Sequence, residues 1–586
     1  MADPQKLIIG VDFGTTFSGI AYCDYTGAKE GMRGIQVFDA WPGGQRTGTN
    51  EKTPSRLWYH PENEVRYGNQ ITSRCKGEIH SCMKLKLDNG TSALASELAR
   101  LNFEDQEHST RDVLELCSDY LRAVYSTVSK ELLKQYSKAL LTSLRKEYVV
   151  TVPAVWSERA KSLTLQAVRN AGIAEEEGET VSLVIEPEAA AVYALKEAIE
   201  NANKVDIEVG SVFTLCDAGG GTVDLISYRI TQIDPVLRFE EAVVGTGDKC
   251  GATFVNAEFL KWLKAWISPR TFNKIPRFET QYGSKLMNSF EMSMRGFGHE
   301  QDDEYTVQLP SKYCPQEDPE LQIEDFSLTL NEDQMKQIFD PVVKRILDLV
   351  GGQIEAIQEA GLAGPKMVLV VGGFGSNCYL YDQIRLYCDQ LGIGTRKPKH
   401  PWSAVARGAV CRGIEGVNDR SITSRLARYC YGTSSSPIWD ASKHHKDDYY
   451  LDDCDGRERA NGQMRWLVMK GERLPDVEPR TMTIKLFRYL RATERAVCAG
   501  VLYSYPENDP PARKAGNVAL KQVCRIEGNL TSLPLSSFER RTTARTGEFF
   551  WIVPFTLRAT FSNAGITWQC LYKGQEKGSV TVDYDV

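Results

Sequence analysis

The chain has 586 residues, of which 42% are hydrophobic and 25% charged, and these proportions indicate a folded protein with more than one domain. Its net charge of −7 gives no overall attraction to nucleic acid or to an anionic membrane surface. No apolar run reaches the length of a membrane span, and residues 1–6 lack the pattern of a secretory signal. Fifteen cysteines without a C-x-x-C spacing predict reduced thiols, so we expect a cytoplasmic location, with the nucleus as the alternative.

The first predicted element is a β-hairpin over residues 7–24. An apolar run leads to Asp12, which is followed by Gly14, Thr15 and Thr16, and a second alternating run continues through Ile20 and Tyr22. A second hairpin, over 213–230, repeats this plan about 200 residues further along the chain, which predicts a duplicated fold.

The tip of the second hairpin contains three consecutive glycines, 219–221, between Asp217 and Thr222. Glycine lets backbone N–H groups approach a ligand closely, and a row of such groups forms an anion site. Asp217 can hold the water shell of a divalent cation that phosphates share. Because the plan occurs twice, we expect the two tips to face each other and bind one polyphosphate.

Between the hairpins the pattern predicts helices and a buried strand. Lys84 and Lys86 lie in a short apolar context, and apolar residues recur at helical spacing over 111–146, with a break near Ser137. A strand over 148–156 follows, and then a helix with Ser157 as its N-cap.

Glu186 ends a short apolar strand and precedes an alanine-rich helix. Such junctions often carry catalytic groups in α/β proteins; the alternative is an acid that complements the helix dipole. Further along, a long amphipathic helix is predicted over 331–360, with Asn331 and Gln334 as a variant capping box. A third glycine turn, at Gly372 and Gly373, lies between a strand and a helix, an arrangement that suits the sugar or base of a nucleotide.

After residue 428 the pattern changes to short alternating runs separated by turns, which predict a β-sandwich. The charged stretch 443–459 is interpreted as an exposed, solvated loop.

Six motifs occur in a fixed order: GVDFGTT, VTVPAVW, IEPEAAA, DAGGGTVD, VGGFGS and a final helix with ARGA. In this order the chain resembles the ATPase domain of DnaK-type heat-shock chaperones, of the actin and hexokinase superfamily, over about its first 420 residues. It is most similar to the divergent animal and fungal branch, in which a β-rich tail without a long helical lid follows the ATPase. The resemblance implies an α/β, duplicated actin-like fold with two lobes around a nucleotide cleft over residues 1–428, and a β-rich, sandwich-like domain over 429–586.

The resemblance also implies roles for individual residues. ATP or ADP would bind with Mg²⁺, which Asp12 and Asp217 would hold through water. The implied catalytic residues are Lys84, with Lys86 as the competing choice, Glu186, Asp217 and Thr222. The implied nucleotide-binding residues are Gly14, Thr15, Thr16, Phe17, Gly219, Gly220, Gly221, Thr222, Gly251, Glu291, Arg295, Gly372 and Gly373.

Two departures from the chaperone pattern lie in the implied adenosine pocket. Met294 replaces a lysine, and Ser376 replaces an arginine that stacks on adenine. We therefore expect weaker nucleotide binding or looser choice of base. An apolar-acidic linker between the domains is also missing, which predicts only modest coupling of ATP to partner binding.

Four functions are consistent with the sequence. The leading hypothesis is a slow, Mg²⁺-dependent ATPase whose nucleotide state changes its grip on an unidentified protein or peptide partner. The second is a module that binds nucleotide and hydrolyses little or none. A small-molecule kinase of the same superfamily is the third, although no catalytic carboxylate for a substrate hydroxyl is identifiable, and a filament former like actin is a remote fourth.

Overall fold

The computed structural model describes residues 5–581 apart from 44–50, 61–64, 73–74, 76–78, 89–110, 155, 201–206, 300–303, 416–418, 476–479, 544–545 and 563–564. The chain divides into two compact units, Met1–Ser421 and Ile422–Val586. All fifteen cysteines are free thiols, as their irregular spacing predicts.

The first unit combines α-helices with several β-sheets. Its strands are β1 (Lys6–Asp12), β2 (Phe17–Asp24), β3 (Gln36–Val37), β4 (Lys52–Pro54), β5 (Arg56–Tyr59), β6 (Val65–Tyr67), β7 (Ile79–Ser81), β8 (Arg145–Val152), β9 (Thr180–Ile185), β10 (Val212–Ala218), β11 (Val223–Gln232), β12 (Arg238–Asp248), β13 (Glu304–Gln308), β14 (Ile323–Glu324), β15 (Ser327–Asn331), β16 (Met367–Val371) and β17 (Gly394–Arg396). Its helices are α1 (Met83–Leu87), α2 (Val113–Gln135), α3 (Lys138–Ser143), α4 (Glu158–Asn170), α5 (Glu186–Glu200), α6 (Ala252–Trp266), α7 (Pro269–Phe272), α8 (Arg277–Thr280), α9 (Lys285–Gly296), α10 (Glu332–Glu359), α11 (Cys378–Gln390) and α12 (Ala404–Ile414).

The two main sheets of this unit share one topology. One sheet has the order β3-β2-β1-β8-β9 and the other contains β12-β11-β10-β16-β17. In the first sheet, β1 and β2 form an antiparallel hairpin and β1 pairs in parallel with β8. In the second, β10 and β11 form the hairpin and β10 pairs in parallel with β16. The repeated order and direction are those expected of a duplicated plan, which the repeated hairpin motif predicted.

Burial explains why the central strands are almost wholly apolar. The residues of β1 and β10 are buried on both faces, as expected where helices cover a sheet with parallel pairing. The small residues of α12 allow close packing: a Cβ at Gly408 would lie 1.7 Å from the carbonyl oxygen of Ala189 on α5, and one at Gly10 would lie 2.5 Å from that of Ala406. The glycines therefore let α12 lie directly against α5 and β1.

Several helix boundaries follow from local polar residues. The Ser157 hydroxyl accepts a hydrogen bond from Ala160 N, and Asn331 forms a reciprocal capping box with Gln334. Ser137 caps α3, at the break expected near it. The predicted helix 111–146 was too long by its last residues, because β8 begins at Arg145 and pairs with β1.

The second unit, in its described residues, contains strands and short 3₁₀ turns but no α-helix. Its strands are β18 (Ile422–Leu426), β19 (Cys430–Ser435), β20 (Tyr449–Leu451), β21 (Glu458–Ala460), β22 (Gln463–Val468), β23 (Arg473–Pro475), β24 (Arg480–Arg491), β25 (Val497–Tyr505), β26 (Lys521–Asn529), β27 (Glu539–Thr542), β28 (Phe549–Ser562), β29 (Gly565–Tyr572) and β30 (Gln575–Thr581). Two sheets, β22-β19-β25-β26 and β24-β28-β29-β30, contribute alternate side chains to one apolar core.

Most of the stretch 443–459 is exposed, as its charges predicted, but it is not only a loop. It contains β20 and β21, which pair with each other. Arg459 and Asp448 are buried, and Asp448 accepts hydrogen bonds from Arg513 at 2.8 Å and Gln463 at 3.0 Å. The charge of Asp448 is neutralised by Arg513, which is distant in sequence, whereas Arg459 pairs with Asp452 and Asp455 nearby.

Candidate functional site

A cavity of about 300 Å³ lies in the first unit, where both hairpin tips and the third glycine turn meet. This volume is at the lower end of the range for small-molecule sites. The predicted site residues that line it are Asp12, Gly14, Thr15, Thr16, Phe17, Glu186, Asp217, Gly219, Gly220, Gly221, Thr222, Glu291, Arg295, Gly372 and Gly373.

The first tip is held by the chain that follows β4. The Ser55 hydroxyl donates a hydrogen bond to the Gly14 carbonyl at 2.7 Å, and Ser55 N donates to the Thr16 carbonyl at 2.7 Å. A Cβ at Gly14 would lie 2.0 Å from the carbonyl oxygen of Phe17, so only glycine suits this turn. These contacts hold the tip at the C-terminal end of β1, beside Asp12.

The orientation of the second tip's backbone follows from its contacts with α6. The N–H groups of residues 251–253, at the start of α6, donate to the carbonyls of 219–221 at N···O distances of 2.9 to 3.3 Å. In a trans peptide, the C=O and the following N–H point in opposite directions. The N–H groups of Gly220, Gly221 and Thr222 therefore point away from α6, and these residues line the cavity as an anion site requires.

Two predicted residues, Gly251 and Lys84, lie just behind the lining. A Cβ at Gly251 would lie 2.6 Å from the Gly219 carbonyl oxygen, so Gly251 lets α6 approach the tip. Lys84, on α1, is 1% exposed and donates a hydrogen bond to Glu186 Oε1. Lys86, the competing choice, is half-buried and does not contribute to the lining.

The third glycine turn is joined directly to the second hairpin. Gly372 has a φ of 91°, where a side chain is strained, and its Cβ would lie 2.3 Å from the Ala218 carbonyl oxygen. That carbonyl accepts hydrogen bonds from Phe374 N and Gly375 N, both at 3.0 Å. The turn thereby occupies a fixed position beside Asp217.

The cavity contains more negative than positive side chains. Asp12 forms an ion pair with Lys52, with Asp12 Oδ2 and Lys52 Nζ 2.5 Å apart, and Glu186 forms one with Lys84. Burial raises the pKa of Glu186 despite the opposing effect of Lys84. Burial, and then the neighbouring carboxylates, raise the pKa of Asp217 well above its usual range. An added cation would relieve this surplus.

Aromatic and planar groups line another part of the cavity. The Arg295 guanidinium lies 4.9 Å from the ring centroid of Phe17 and 5.8 Å from that of Trp402. Arg295 also donates to Glu291 Oε1 at 2.6 Å. A Cβ at Gly373 would lie 3.3 Å from two indole atoms of Trp402, so the indole rests on this glycine.

Sequence reasoning missed Lys52 and Trp402. The signal for Lys52 was a cation in the KTPS stretch that pairs with the first hairpin, and the signal for Trp402 was an indole just before the small-residue helix. Met294 and Ser376, the two departures singled out from the sequence, both line the cavity, and Met294, 7% exposed, is also part of the apolar core. The substitutions at Met294 and Ser376 predicted the loss of a stacking group, yet the cavity contains other planar groups, Trp402 and Arg295.

A groove of about 1380 Å³ lies in the second unit. Phe487 and Tyr489, on the same face of β24, line it together with Ile438. Phe487 is 49% exposed and Ile438 is 59% exposed. In the described part of this unit, β24 pairs only with β28, so one edge of a twelve-residue strand is left without a strand neighbour.

Comparison with known proteins gives weak but extensive similarity. The chain is 24% identical to heat shock 70 kDa protein 12A of Homo sapiens over 514 residues, which cover 75% of this chain and 73% of that protein. It is 22% identical to heat shock 70 kDa protein 12B of Homo sapiens over 485 residues, covering 70% and 68%. Chaperone protein DnaK of Stenotrophomonas maltophilia is 24% identical over 421 residues, covering 69% and 59%.

The chain is thus similar, over most of its length, to divergent members of the 70-kDa heat-shock protein family. Its mixed α/β content and several sheets agree with an actin-type ATPase of that family. Residues 208–381 and 425–585 also match two families described as domains of unknown function, DUF8340 and DUF8568. None of the described helices is long and apolar enough to cross a membrane.

Proposed function

We propose that this chain binds ATP in the cavity of its first unit and hydrolyses it slowly with Mg²⁺, and that its nucleotide state changes the binding of a protein partner. Residues 1–428 would form the two-lobed, actin-like ATPase domain, and residues 429–586 the β-rich domain that contacts the partner in the cytoplasm. The observation that carries the proposal is the convergence of two glycine tips, each beside a buried aspartate, on one cavity.

The donor set supports a hydrated metal ion more than a direct carboxylate cage. Among the described residues no group of three or more His, Cys, Asp and Glu side chains is arranged to hold a metal. Asp217 and Asp12 nevertheless line the cavity, and burial, followed by the nearby carboxylates, raises the pKa of Asp217 well above its usual range. These two carboxylates would hold Mg²⁺ through water, and Mg²⁺ when bound neutralises charge on the phosphate oxygens.

The remaining roles belong to positioning groups. The N–H groups of Gly220, Gly221 and Thr222 would bind phosphate oxygens. Glu186, held by Lys84, would accept a hydrogen bond from the attacking water and orient it. Little covalent chemistry is required of the protein, because phosphoryl transfer depends mainly on positioning and charge neutralisation.

An ATPase assay on the purified chain tests this function. We expect slow release of phosphate in Mg²⁺ and none in excess chelator, because charge on the transferred phosphoryl group must be neutralised. Binding of ATP without any hydrolysis in Mg²⁺ would favour the second hypothesis, a nucleotide-binding module. Transfer of phosphate to a small-molecule hydroxyl would favour a kinase.

The indole ring of Trp402 and the planar guanidinium of Arg295 support a stacking site for the base. We expect Trp402→Ala to weaken ATP binding about tenfold, since stacking of a base on an aromatic side chain contributes about 1–3 kcal/mol. Calorimetry with ATP measures this, with Trp402→Phe expected to retain most of the affinity. Trp439→Ala, in the second unit, is the matched control; equal affinity of Trp402→Ala and wild type would place the base elsewhere.

The groove and free edge of β24 support binding of an extended peptide. An unpaired strand edge offers backbone donors and acceptors to an added strand, while side-chain pockets supply specificity. Exposed Phe487 and Ile438 favour apolar residues in that peptide. Because the described part of this unit has no α-helix to act as a lid, captured segments should exchange quickly.

Fluorescence anisotropy of a labelled, extended apolar peptide tests this partner site. We expect fast release with ATP, with ADP and without nucleotide, and only a modest change in affinity among them, since a ligand shifts an equilibrium only by its differential affinity. Phe487→Ala should weaken binding, whereas Phe549→Ala, an exposed aromatic outside the groove, should not. Release slowed by orders of magnitude in ADP would instead show full chaperone-type coupling.

A further inference from the structure

Lys52 occupies a position where a cation acts directly on the predicted metal ligand. Its Nζ atom lies 2.5 Å from Asp12 Oδ2, and the two side chains are 8% and 4% exposed. Both residues line the cavity. A lysine so buried is costly unless its charge is paired, so its presence at this position requires an explanation.

The fold makes room for this lysine. Lys52 begins β4 and pairs with Gly19 of β2. A Cβ at Gly19 would lie 2.9 Å from Lys52 Cγ and 3.4 Å from Lys52 Cε. The absence of a side chain at Gly19 therefore leaves a path along which the lysine stem reaches the cavity.

The ammonium group has the chemistry that a polyphosphate requires. Lysine binds phosphate as a compact point charge, and its flexible stem lets the charge shift between neighbouring oxygens. In the cavity it stands beside Asp12 on one tip, and the second tip supplies N–H donors. Lys52 offsets the charge of Asp12 and the second tip supplies N–H donors, so both favour phosphate oxygens before a divalent ion is added.

We propose that Lys52 is a built-in cation of the phosphate site, so that the cavity binds a nucleoside polyphosphate with little dependence on Mg²⁺. The inference rests on the proposed nucleotide site and changes one expectation drawn from the sequence, that binding itself needs Mg²⁺. Mg²⁺ remains required for hydrolysis, where charge on the transferred phosphoryl group must be neutralised. The binding step and the chemical step thus differ in their need for the metal.

Calorimetry of ATP binding, in Mg²⁺ and in excess EDTA, tests the proposal without relying on turnover. For the wild type we expect the dissociation constant to change by less than about threefold between the two conditions, because Lys52 supplies the charge. For Lys52→Gln we expect the loss of affinity relative to the wild type to be at least about tenfold larger in EDTA than in Mg²⁺. The variant lacks the charge-assisted hydrogen bond of the lysine, and only Mg²⁺ can then supply positive charge to the phosphates. Lys52→Arg should behave more like the wild type.

A matched control removes an ion-paired lysine elsewhere. Lys146 pairs with Glu179 at 2.6 Å and lies outside the cavity, so Lys146→Gln should bind as the wild type does. If the wild type binds ATP more than about tenfold more weakly in EDTA than in Mg²⁺, the proposed role of Lys52 is wrong, while the nucleotide site itself still stands. Absence of wild-type binding in both conditions would overturn the nucleotide site itself. If Lys52→Gln fails to fold, the wild-type comparison and Lys52→Arg still decide.

Discussion

Gly220→Val is expected to abolish ATP binding while the protein remains folded. A Cβ at Gly220 would lie 2.0 Å from Thr16 Oγ1, 2.7 Å from Thr16 Cγ2 and 2.9 Å from Thr16 Cβ. The two tips approach so closely that any side chain at 220 collides with the whole side chain of Thr16. Valine would also carry two methyl groups into the space beside the N–H groups that face the cavity.

Folding should survive because the tip lies outside the cores of the unit. Gly220 is half-buried, and the buried apolar residues belong to the strands and helices behind it. We expect calorimetry to show a loss of affinity of at least about 10²-fold, since phosphate contacts from several N–H groups are lost together. Thermal unfolding of the variant measures whether the fold is retained.

Gly364→Val is the matched control for this substitution. A Cβ at Gly364 meets no atom within 4 Å, and its backbone lies outside the left-handed region. This variant should bind ATP as the wild type does. Wild-type affinity in a folded Gly220→Val variant would exclude the second tip as part of a phosphate site.

The elements that sequence predicted well are those determined by local pattern. The two hairpins followed from alternation on either side of glycine tips, and both are present in register. The capped starts of α4 and α10 followed from Ser157 and Asn331, whose side chains act on the next turn of their own helix. In each case the interacting residues are neighbours in sequence.

The residues that sequence reasoning missed depend on contacts between distant segments. Lys52 reaches Asp12 only because β4 pairs with β2. Trp402 reaches Arg295 because the chain before α12 passes beside the third glycine turn, where Pro401 O accepts a hydrogen bond from Gly372 N. Neither contact has a signature at short range.

In the stretch 443–459, local pattern predicted exposure for two charged residues that are buried in the structure, Asp448 and Arg459. The density of charge in this stretch predicted solvation, because unpaired charges are costly to bury. Asp448, however, accepts a hydrogen bond from Arg513, and Arg459 donates one to Asp455 at 2.6 Å. The pairing with a residue 65 positions away, which local pattern could not reveal, makes the burial of Asp448 possible.

Lys84→Ala should leave ATP binding largely intact and lower the rate of hydrolysis by on the order of 10²-fold or more, the usual consequence of losing a positioning group. The ammonium of Lys84 contacts Glu186 and lies 5.7 Å from the Phe13 ring and 5.2 Å from the Trp156 ring. These contacts fix the lysine against the carboxylate that would orient the attacking water. Single-turnover hydrolysis at saturating ATP measures the chemical step apart from binding and product release.

Loss of Lys84 also changes the charge of its partner. Burial already raises the pKa of Glu186, and Lys84 is the strongest influence that lowers it. Without the lysine the pKa of Glu186 rises further, so the carboxyl group stays protonated up to a higher pH than in the wild type. In its protonated form it cannot accept a proton from water. Lys84→Met, which keeps most of the buried stem, separates this effect from the cavity that alanine leaves.

Lys86→Ala is the control that decides between the two lysines of α1. Lys86 is half-buried on the same short helix but does not line the cavity, so its loss should leave the single-turnover rate within about threefold of wild type, as is usual for a residue outside the chemistry. If Lys84→Met and wild type hydrolyse ATP at equal rates, Lys84 does not act on the water. A slow Lys86→Ala variant beside a normal Lys84→Met variant would transfer the role to Lys86.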